Sequence, residues 1–352
     1  MFESLTWHIQ NFIHSPKLYL LPLSIISGTT LVVIFILITI PILRKYNIVD
    51  IPSTRRVHKK PTVRGGGIAL VFAFLFSIYL VDEYTNEQCN MSNLLLPISL
   101  LGIISFIDDV KGLGIFIRLG SHFIASYLCL SAYLYPHLIF RGELIPPIDM
   151  FLSVVALVSF LNIYNFLDGI DGISAIQSIH LSLTTLILCI LRDKVIINID
   201  IVFYSSSILL GCSIGFLFFN WHPASLFLGD VGSTLLGILH GMNLLIIAAS
   251  SERLFLAATI SSLYYIADGG ITILIRIINK EKFWLPHLNH FFQQAGRKGM
   301  SNTEVVKKVG ICNIILLALS VMSIYLPHIS IIFSLLTVTY TLVHFQHDKL
   351  HS

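Results

Sequence analysis

Apolar runs of membrane-spanning length recur along the whole chain, and no other feature constrains the fold as tightly. They lie near residues 18–43, 66–81, 93–107, 117–135, 149–164, 173–191, 200–218, 232–250, 254–275, 309–326 and 329–345. A spanning helix uses about 20 apolar residues, so eleven such runs occupy most of the 352 residues. Only 12% of residues are charged and 55% are hydrophobic, with a mean hydropathy of +0.83. That balance leaves too little polar surface to clothe a water-soluble domain. Backbone groups inside a bilayer must bond one another, which favours helices. The chain therefore reads as an all-α polytopic integral membrane protein with about 10–11 transmembrane helices. No tandem repeat or low-complexity linker divides residues 1–352, so one domain is expected. The first run lacks a small-residue cleavage pattern and reads as a retained helix. Cys89, Cys129, Cys189, Cys212 and Cys312 are scattered, with no CxxC pairing that would suggest zinc or redox chemistry.

The basic residues set an orientation. One polar loop carries Arg44, Lys45, Arg55, Arg56, Lys59, Lys60 and Arg64, and another carries Arg276, Lys280, Lys282, Arg297, Lys298, Lys307 and Lys308. With Lys111, Arg118 and Lys349, eleven alternating spans put 17 of the 22 Lys and Arg residues on one side. Positive charge is retained inside. That side is expected to be cytoplasmic, with the N-terminus outside and the C-terminus inside.

Acids at helix ends of so apolar a protein are costly to desolvate and need a reason. Three segments carry them: Asp108-Asp109, then Asn165 with Asp168 and Asp171, then Gly229-Asp230 before Val231-Gly232-Ser233. The charge-derived orientation puts all three at cytoplasmic helix ends. An Asp beside Gly at a helix end is often only a cap or turn residue. Three such segments on one face point instead to a divalent cation with hard oxygen ligands, Mg²⁺ or Mn²⁺. Asp268, inside an apolar run before Gly269 and Gly270, reads as a structural or intramembrane polar partner.

Two basic loops supply candidate phosphate contacts. His58, Lys60 and Arg64 precede the triple glycine Gly65-Gly66-Gly67, where backbone can approach an anion at a helix start. Topology alone, or anionic headgroups, would also explain that charge. His287 and His290 are three apart and would share a helix face. No third ligand at zinc-like spacing accompanies them, so substrate hydrogen bonding is the expected role, with a structural role as the alternative. A transporter would place its acids near the bilayer midplane on repeat-related broken helices. A scaffold gives no reason for three acidic segments on one face.

The order HKKPTVRGGG, FIDDVKGLG, NIYNFLDGIDGIS, FNWHPASLFLGDVGSTLLG and HLNHFFQQAGRKG resembles the polyprenyl-phosphate N-acetylhexosamine-1-phosphate transferases, glycosyltransferase family 4. The likeness runs from about residue 55 to 300. It implies transfer of N-acetylhexosamine-1-phosphate from a UDP-sugar to undecaprenyl phosphate, with release of UMP, in the bacterial inner membrane. It implies Mg²⁺, with Mn²⁺ as an alternative, held by Asp230 with Asp171. Asp108, Asp109, Asp168, Asp171 and Lys111 match catalytic positions, and Asn165, His58, Lys60, Arg64, His287 and His290 match substrate-binding ones. The family's histidine motif takes forms such as HHH or HxHH, and Asn289 replaces one histidine here. That departure favours the branch that starts O-antigen-like surface polysaccharides, whose members handle sugars such as FucNAc or QuiNAc. Phospho-MurNAc-pentapeptide transfer and a non-enzymatic lipid or phosphate carrier are the alternatives. Membrane lipids are expected partners and nucleic acid is not; a homodimer is left open.

Overall fold

The computed structural model describes residues 17–50, 61–85, 89–135, 139–191, 196–282, 284–285 and 287–346, together with Thr6, Gln10, Phe12 and Ser15. Twelve α-helices occupy these stretches, with a short 3-10 turn at Met91–Leu94. They are α1 (Lys17–Lys45), α2 (Gly67–Tyr84), α3 (Leu95–Lys111), α4 (Ile115–Tyr133), α5 (Pro146–Leu167) and α6 (Ile173–Leu191). After them come α7 (Ile199–Asn220), α8 (Gly229–Ser250), α9 (Glu252–Ile278), the short α10 (Phe291–Arg297), α11 (Asn302–Met322) and α12 (Pro327–Gln346). Among the described residues eleven helices are long and apolar enough to cross a membrane. The fold is all-α and polytopic, as the apolar runs require.

Local chemistry sets the ends of these helices. Gly112, at φ +68°, closes α3 in a conformation that L side chains avoid. Pro146 and Pro147 open α5, where missing N–H groups cost nothing. Ser301 and Glu304 cap α11 reciprocally.

Burial grades the helices from rim to centre. Only 22% of the most apolar stretch of α1 is buried, against 94% for α8. The outer face of α12 exposes Ile332, Phe333, Leu335, Leu336 and Tyr340, a surface suited to lipid and not to water. The interior is stitched by polar pairs instead. Ser178 bonds His240 at 2.6 Å and Ser213 at 2.6 Å, Ser205 bonds Asn243 at 2.9 Å, and Asn313 bonds Gln177 at 2.9 Å. Lipid tails are as apolar as Leu, so such bonds and close packing are what hold spanning helices together.

A three-stranded sheet at one end of the bundle was not legible in the sequence, because its strands are only two or three residues long. β1 (Val49–Asp50) pairs antiparallel with β2 (Thr62–Arg64), which pairs parallel with β3 (Leu226–Phe227). The register sets Arg64 opposite Phe227, two residues before the start of α8. The triple glycine then serves packing. The amides of Gly65 and Gly66 donate to Phe227 O and that of Gly67 to Leu228 O, so they are committed to the backbone and form no anion cradle. A Cβ on Gly67 would stand 2.0 Å from the Gly232 nitrogen, so α2 and α8 touch backbone to backbone.

Gly67→Ala should therefore force α2 off α8 and cost at least about 1–3 kcal/mol. It should lower the thermal unfolding midpoint of the detergent-purified protein. Gly120→Ala on α4, where an added Cβ meets nothing within 4 Å, should leave that midpoint unchanged.

Candidate active site

The three acidic segments meet at the end of the bundle that carries the small sheet. Asp108 and Asp109 occupy the last turn of α3, Asp168 and Asp171 lie in the turn between α5 and α6, and Asp230 sits in the first turn of α8. The Asp109 side chain is only 1% exposed. Its Oδ1 lies 2.6 Å from Arg64 Nη2 and accepts the Asp230 amide at 3.1 Å, while Oδ2 accepts the Val231 amide at 3.3 Å. Asp109 thus caps the N-terminus of α8, where exposed N–H groups and the helix dipole favour a carboxylate. Gly229 makes this approach feasible. Its φ is +74°, and a Cβ there would stand 2.7 Å from Asp109 Oδ2.

Arg64 also bonds Asp230 Oδ1 at 3.2 Å, so one guanidinium joins two carboxylates from different helices. Arg118 Nη1 lies 3.3 Å from Asp108 Oδ2 and 4.0 Å from Asp230 Oδ2. Asp108 Oδ1 further accepts the Leu113 amide. Both oxygens of Asp108 and both of Asp109 are thereby engaged, whereas Asp230 faces two cations. Asn165 accepts a 2.6 Å bond from Ser233, next along α8 from the site.

Asp168 accepts a bond from Ser174 Oγ at 2.6 Å. Burial pushes its carboxyl up to about 6, against the opposing pull of that bond and of Arg64, so it holds a proton more readily than an ordinary Asp. Asp171 is clamped differently. Its Oδ2 lies 2.7 Å from His222 Nδ1 and accepts the Ala224 amide at 3.2 Å.

Two cavities meet here. A polar one of about 350 Å³ is lined by Asp50, Arg64, Asp168, Asp171, Asn220 and Gln293 among others. A largely apolar one of about 730 Å³ runs between α3, α4 and α5 from Asp108 and Arg118. Asn165, Phe166 and Asp230 line both.

The histidines stand elsewhere. His287 and His290 lie in the turn before α10 and not on a helix, yet their rings pack 4.8 Å apart. His290 is 1% exposed, with Nδ1 3.4 Å from Asp268 Oδ1. Asp268 is structural as expected: it accepts the amides of Phe291 and Phe292 at 2.9 and 3.2 Å and so anchors α10. Burial, His290 and Arg276 hold His287 down at about 4, so it is a neutral hydrogen-bonding group near pH 7. Neither histidine lines the two cavities, and Leu288 and Gln293 of the same segment do. Lys111 is exposed in the last turn of α3 and lines neither. His58 and Lys60 lie outside the described residues.

Three contributors escaped the sequence reading. In the sequence Arg118 reads only as a topological charge, yet the Gly112-Leu113-Gly114 turn folds α4 back so that it faces Asp108. Asp50 is the one acid in an otherwise basic loop, and that contrast is its only signal. His222 carries no pattern that foretells its pairing with Asp171.

Among the described residues no three Asp, Glu, His or Cys side chains converge as a metal cluster. The donors present are hard carboxylate oxygens around Asp230. This suits Mg²⁺, which is commonly held by one or two carboxylates with phosphate oxygens and water completing the shell.

The family model described as glycosyl transferase family 4 matches residues 91–248. A phospho-N-acetylmuramoyl-pentapeptide-transferase of Buchnera aphidicola subsp. Acyrthosiphon pisum (strain Tuc7) is 30% identical over 327 residues, covering 80% of this chain and 86% of that protein. A probable undecaprenyl-phosphate N-acetylglucosaminyl 1-phosphate transferase of Bacillus subtilis (strain 168) is 25% identical over 281 residues, 76% of each chain.

Asp109→Ala should strand Arg64 and two helix-terminal amides. Removing one partner of a buried pair costs about 3–5 kcal/mol, and thermal melts should register it. Asp268→Ala should leave the Phe291 and Phe292 amides unpaired, with faster hydrogen exchange confined to residues 287–297 as the readout.

Proposed function

We propose, from the premise that this chain belongs to glycosyl transferase family 4, that it moves N-acetylhexosamine-1-phosphate from a UDP-sugar to undecaprenyl phosphate. The observation that carries this reading is the junction of the two cavities at Asn165, Phe166 and Asp230. An apolar channel suits an isoprenoid tail, a polar pocket suits a nucleotide sugar, and a phosphate from each would meet where Arg64 and Arg118 converge on Asp230.

In the reaction an oxygen of the acceptor phosphate attacks the β-phosphorus of the UDP-sugar. The bond from that phosphorus to the bridging oxygen breaks, and UMP leaves with the electron pair. Arg64 and Arg118 neutralise the gathering phosphate charge and hold the two groups in line. Asn165 and Gln293 supply neutral hydrogen bonds within the polar pocket, and His58 and Lys60 are assigned phosphate contacts from the sequence alone. Asp109 has both oxygens committed to Arg64 and α8, and Asp108 has both committed to Arg118 and Leu113. Neither stands ready as a nucleophile, which favours direct displacement over a covalent aspartyl route. Asp108 instead orients Arg118. Mg²⁺, or Mn²⁺ in its place, would be held by Asp230 with the remaining oxygen of Asp171, and would supply electrostatic stabilisation of the leaving phosphate.

The catalytic face is assigned to the cytoplasm of a bacterial inner membrane from the distribution of basic residues. Asn289, at a position where the family carries histidine, supports a product in the O-antigen-like surface polysaccharides. The Buchnera relative's name supports a second reading, transfer of phospho-MurNAc-pentapeptide.

UMP release from the purified chain with undecaprenyl phosphate and Mg²⁺ tests both. UDP-GlcNAc, UDP-QuiNAc, UDP-FucNAc and UDP-MurNAc-pentapeptide form the donor panel. Release is expected with one of the first three. Asp230→Ala should reduce kcat by about 100-fold or more, and undiminished turnover by that variant would remove the cation assignment.

A further inference from the structure

The end of α7 and the loop after it brace the turn between α5 and α6 that carries Asp168 and Asp171. Asn220, 5% exposed, accepts the Gly172 amide at 2.9 Å through Oδ1, and its Nδ2 donates to Leu226 O at 2.9 Å. Trp221 packs on Gly172, where an added Cβ would stand 3.4 Å from the indole. These contacts tie the turn to β3 through a backbone amide and a packed ring. None of them involves the Asp171 carboxylate.

That carboxylate has two donors of its own, both on one oxygen. His222 Nδ1 lies 2.7 Å from Asp171 Oδ2, and the Ala224 amide donates to the same atom at 3.2 Å. A carboxylate only accepts, so the proton of the shorter contact sits on His222 Nδ1. Oδ1 has no protein partner among the described residues, and Asp171 lines the polar pocket. One oxygen is clamped and the other is offered. With a single donor a carboxylate turns about the bond it keeps; a second donor from another direction fixes its plane. His222 is itself 47% exposed and lines neither cavity, so it neither meets substrate nor fills the core.

We infer that His222 is a positioning residue for the donor site, whose Nδ1–H fixes Asp171 Oδ2 so that Oδ1 is presented to the polar pocket where the UDP-sugar binds. This rests on the transferase reading above. Asn220 and Trp221 hold the turn, and His222 sets the direction of the one side chain on it that they leave free to rotate. Asp171 does not line the apolar cavity, so the effect of His222 falls on the donor and not on the acceptor.

The test compares His222→Ala, His222→Asn and His222→Gln in the full-length chain. Asn carries its amide nitrogen where imidazole carries Nδ1, whereas Gln carries it one bond further out. Steady-state UMP release is measured with undecaprenyl phosphate, Mg²⁺ and the UDP-sugar that the unsubstituted protein uses. His222→Ala and His222→Gln should lower kcat/KM for the donor about tenfold and leave the acceptor KM within about twofold. His222→Asn should recover most of that loss. The rise in thermal unfolding midpoint on adding the UDP-sugar alone should shrink with Ala and Gln and return with Asn. The ligand-free midpoint should stay that of the unsubstituted protein, because Asn220 and Trp221 still hold the turn. Should His222→Ala fail to purify folded, Asn set against Gln reads the same bond. An unchanged donor kcat/KM, an equal loss in all three variants or an equal rise in both KM values overturns the inference. A ligand-free midpoint that falls in step with activity makes the bond merely structural and overturns it too. Absence of UMP release from the unsubstituted protein overturns the transferase reading and this inference with it. Normal turnover by that protein with indifferent His222 variants overturns this inference alone.

Discussion

The bond network around the Asp109 carboxylate organises the functional end of the molecule. One buried side chain ends α3, caps α8 through the Asp230 and Val231 amides, and pairs with Arg64 from β2. Three segments distant in sequence are thereby fixed to one point. Each partner satisfies a different need: the carboxylate offsets the orphan amides of a helix start, and the guanidinium offsets the carboxylate. Removing any of the three leaves a charge or a donor without its complement in a region where water is scarce. The backbone contact between Gly67 and Gly232 keeps α2 close enough for the strand before it to deliver Arg64.

This arrangement divides the acids by role. Asp109 and Asp268 are spent on helix starts, each accepting backbone amides, while Asp171 commits only its Oδ2 to a turn. Asp230 stands apart, because its oxygens face Arg64 and Arg118 and it lines both cavities. Two guanidinia held on one carboxylate can exchange it for a phosphate, since an arginine binds carboxylate or phosphate through the same fork of donors. The ion pairs at Asp230 thus keep the site assembled before substrate arrives.

The fold was legible because bilayer physics leaves few choices. Runs near 232–250 and 254–275 predict helices, and α8 and α9 occupy them. The convergence of acids was legible too, since alternating spans put Asp108, Asp168 and Asp230 at one end before any contact was known. The small sheet was not, because strands such as Leu226–Phe227 are too short to show a period. Arg118 looks like a topological charge in the sequence, because a charge's partner across a turn depends on the path of α4, which no periodicity encodes. The triple glycine is compatible with an anion cradle or with topology alone, and its amides in fact meet the Phe227 and Leu228 carbonyls. The residue type signals close backbone approach in either case; only the structure says what approaches.

Asp268 shows how the loop between α9 and α11 is tied to the same logic. Its carboxylate, fully buried within α9, accepts the amides at the start of α10, which folds back against the helix, and meets the His290 ring. Tyr264, one turn earlier, donates to the other side of the same carboxylate at 3.2 Å. The histidine segment is therefore attached to the membrane-embedded part of α9 and does not hang from a free loop. That attachment sets where Leu288 and Gln293 line the polar pocket, and where Trp284, just before them, lines the apolar one. A single intramembrane acid thus positions a segment that borders both cavities. The histidines act as packing for it: His290 is sandwiched among His287, Phe166 and Phe292, with the neutral His287 outermost. Asn289 joins this stack through its backbone, its amide donating to His287 Nδ1 at 3.3 Å and its carbonyl accepting Gln294 Nε2 at 2.7 Å.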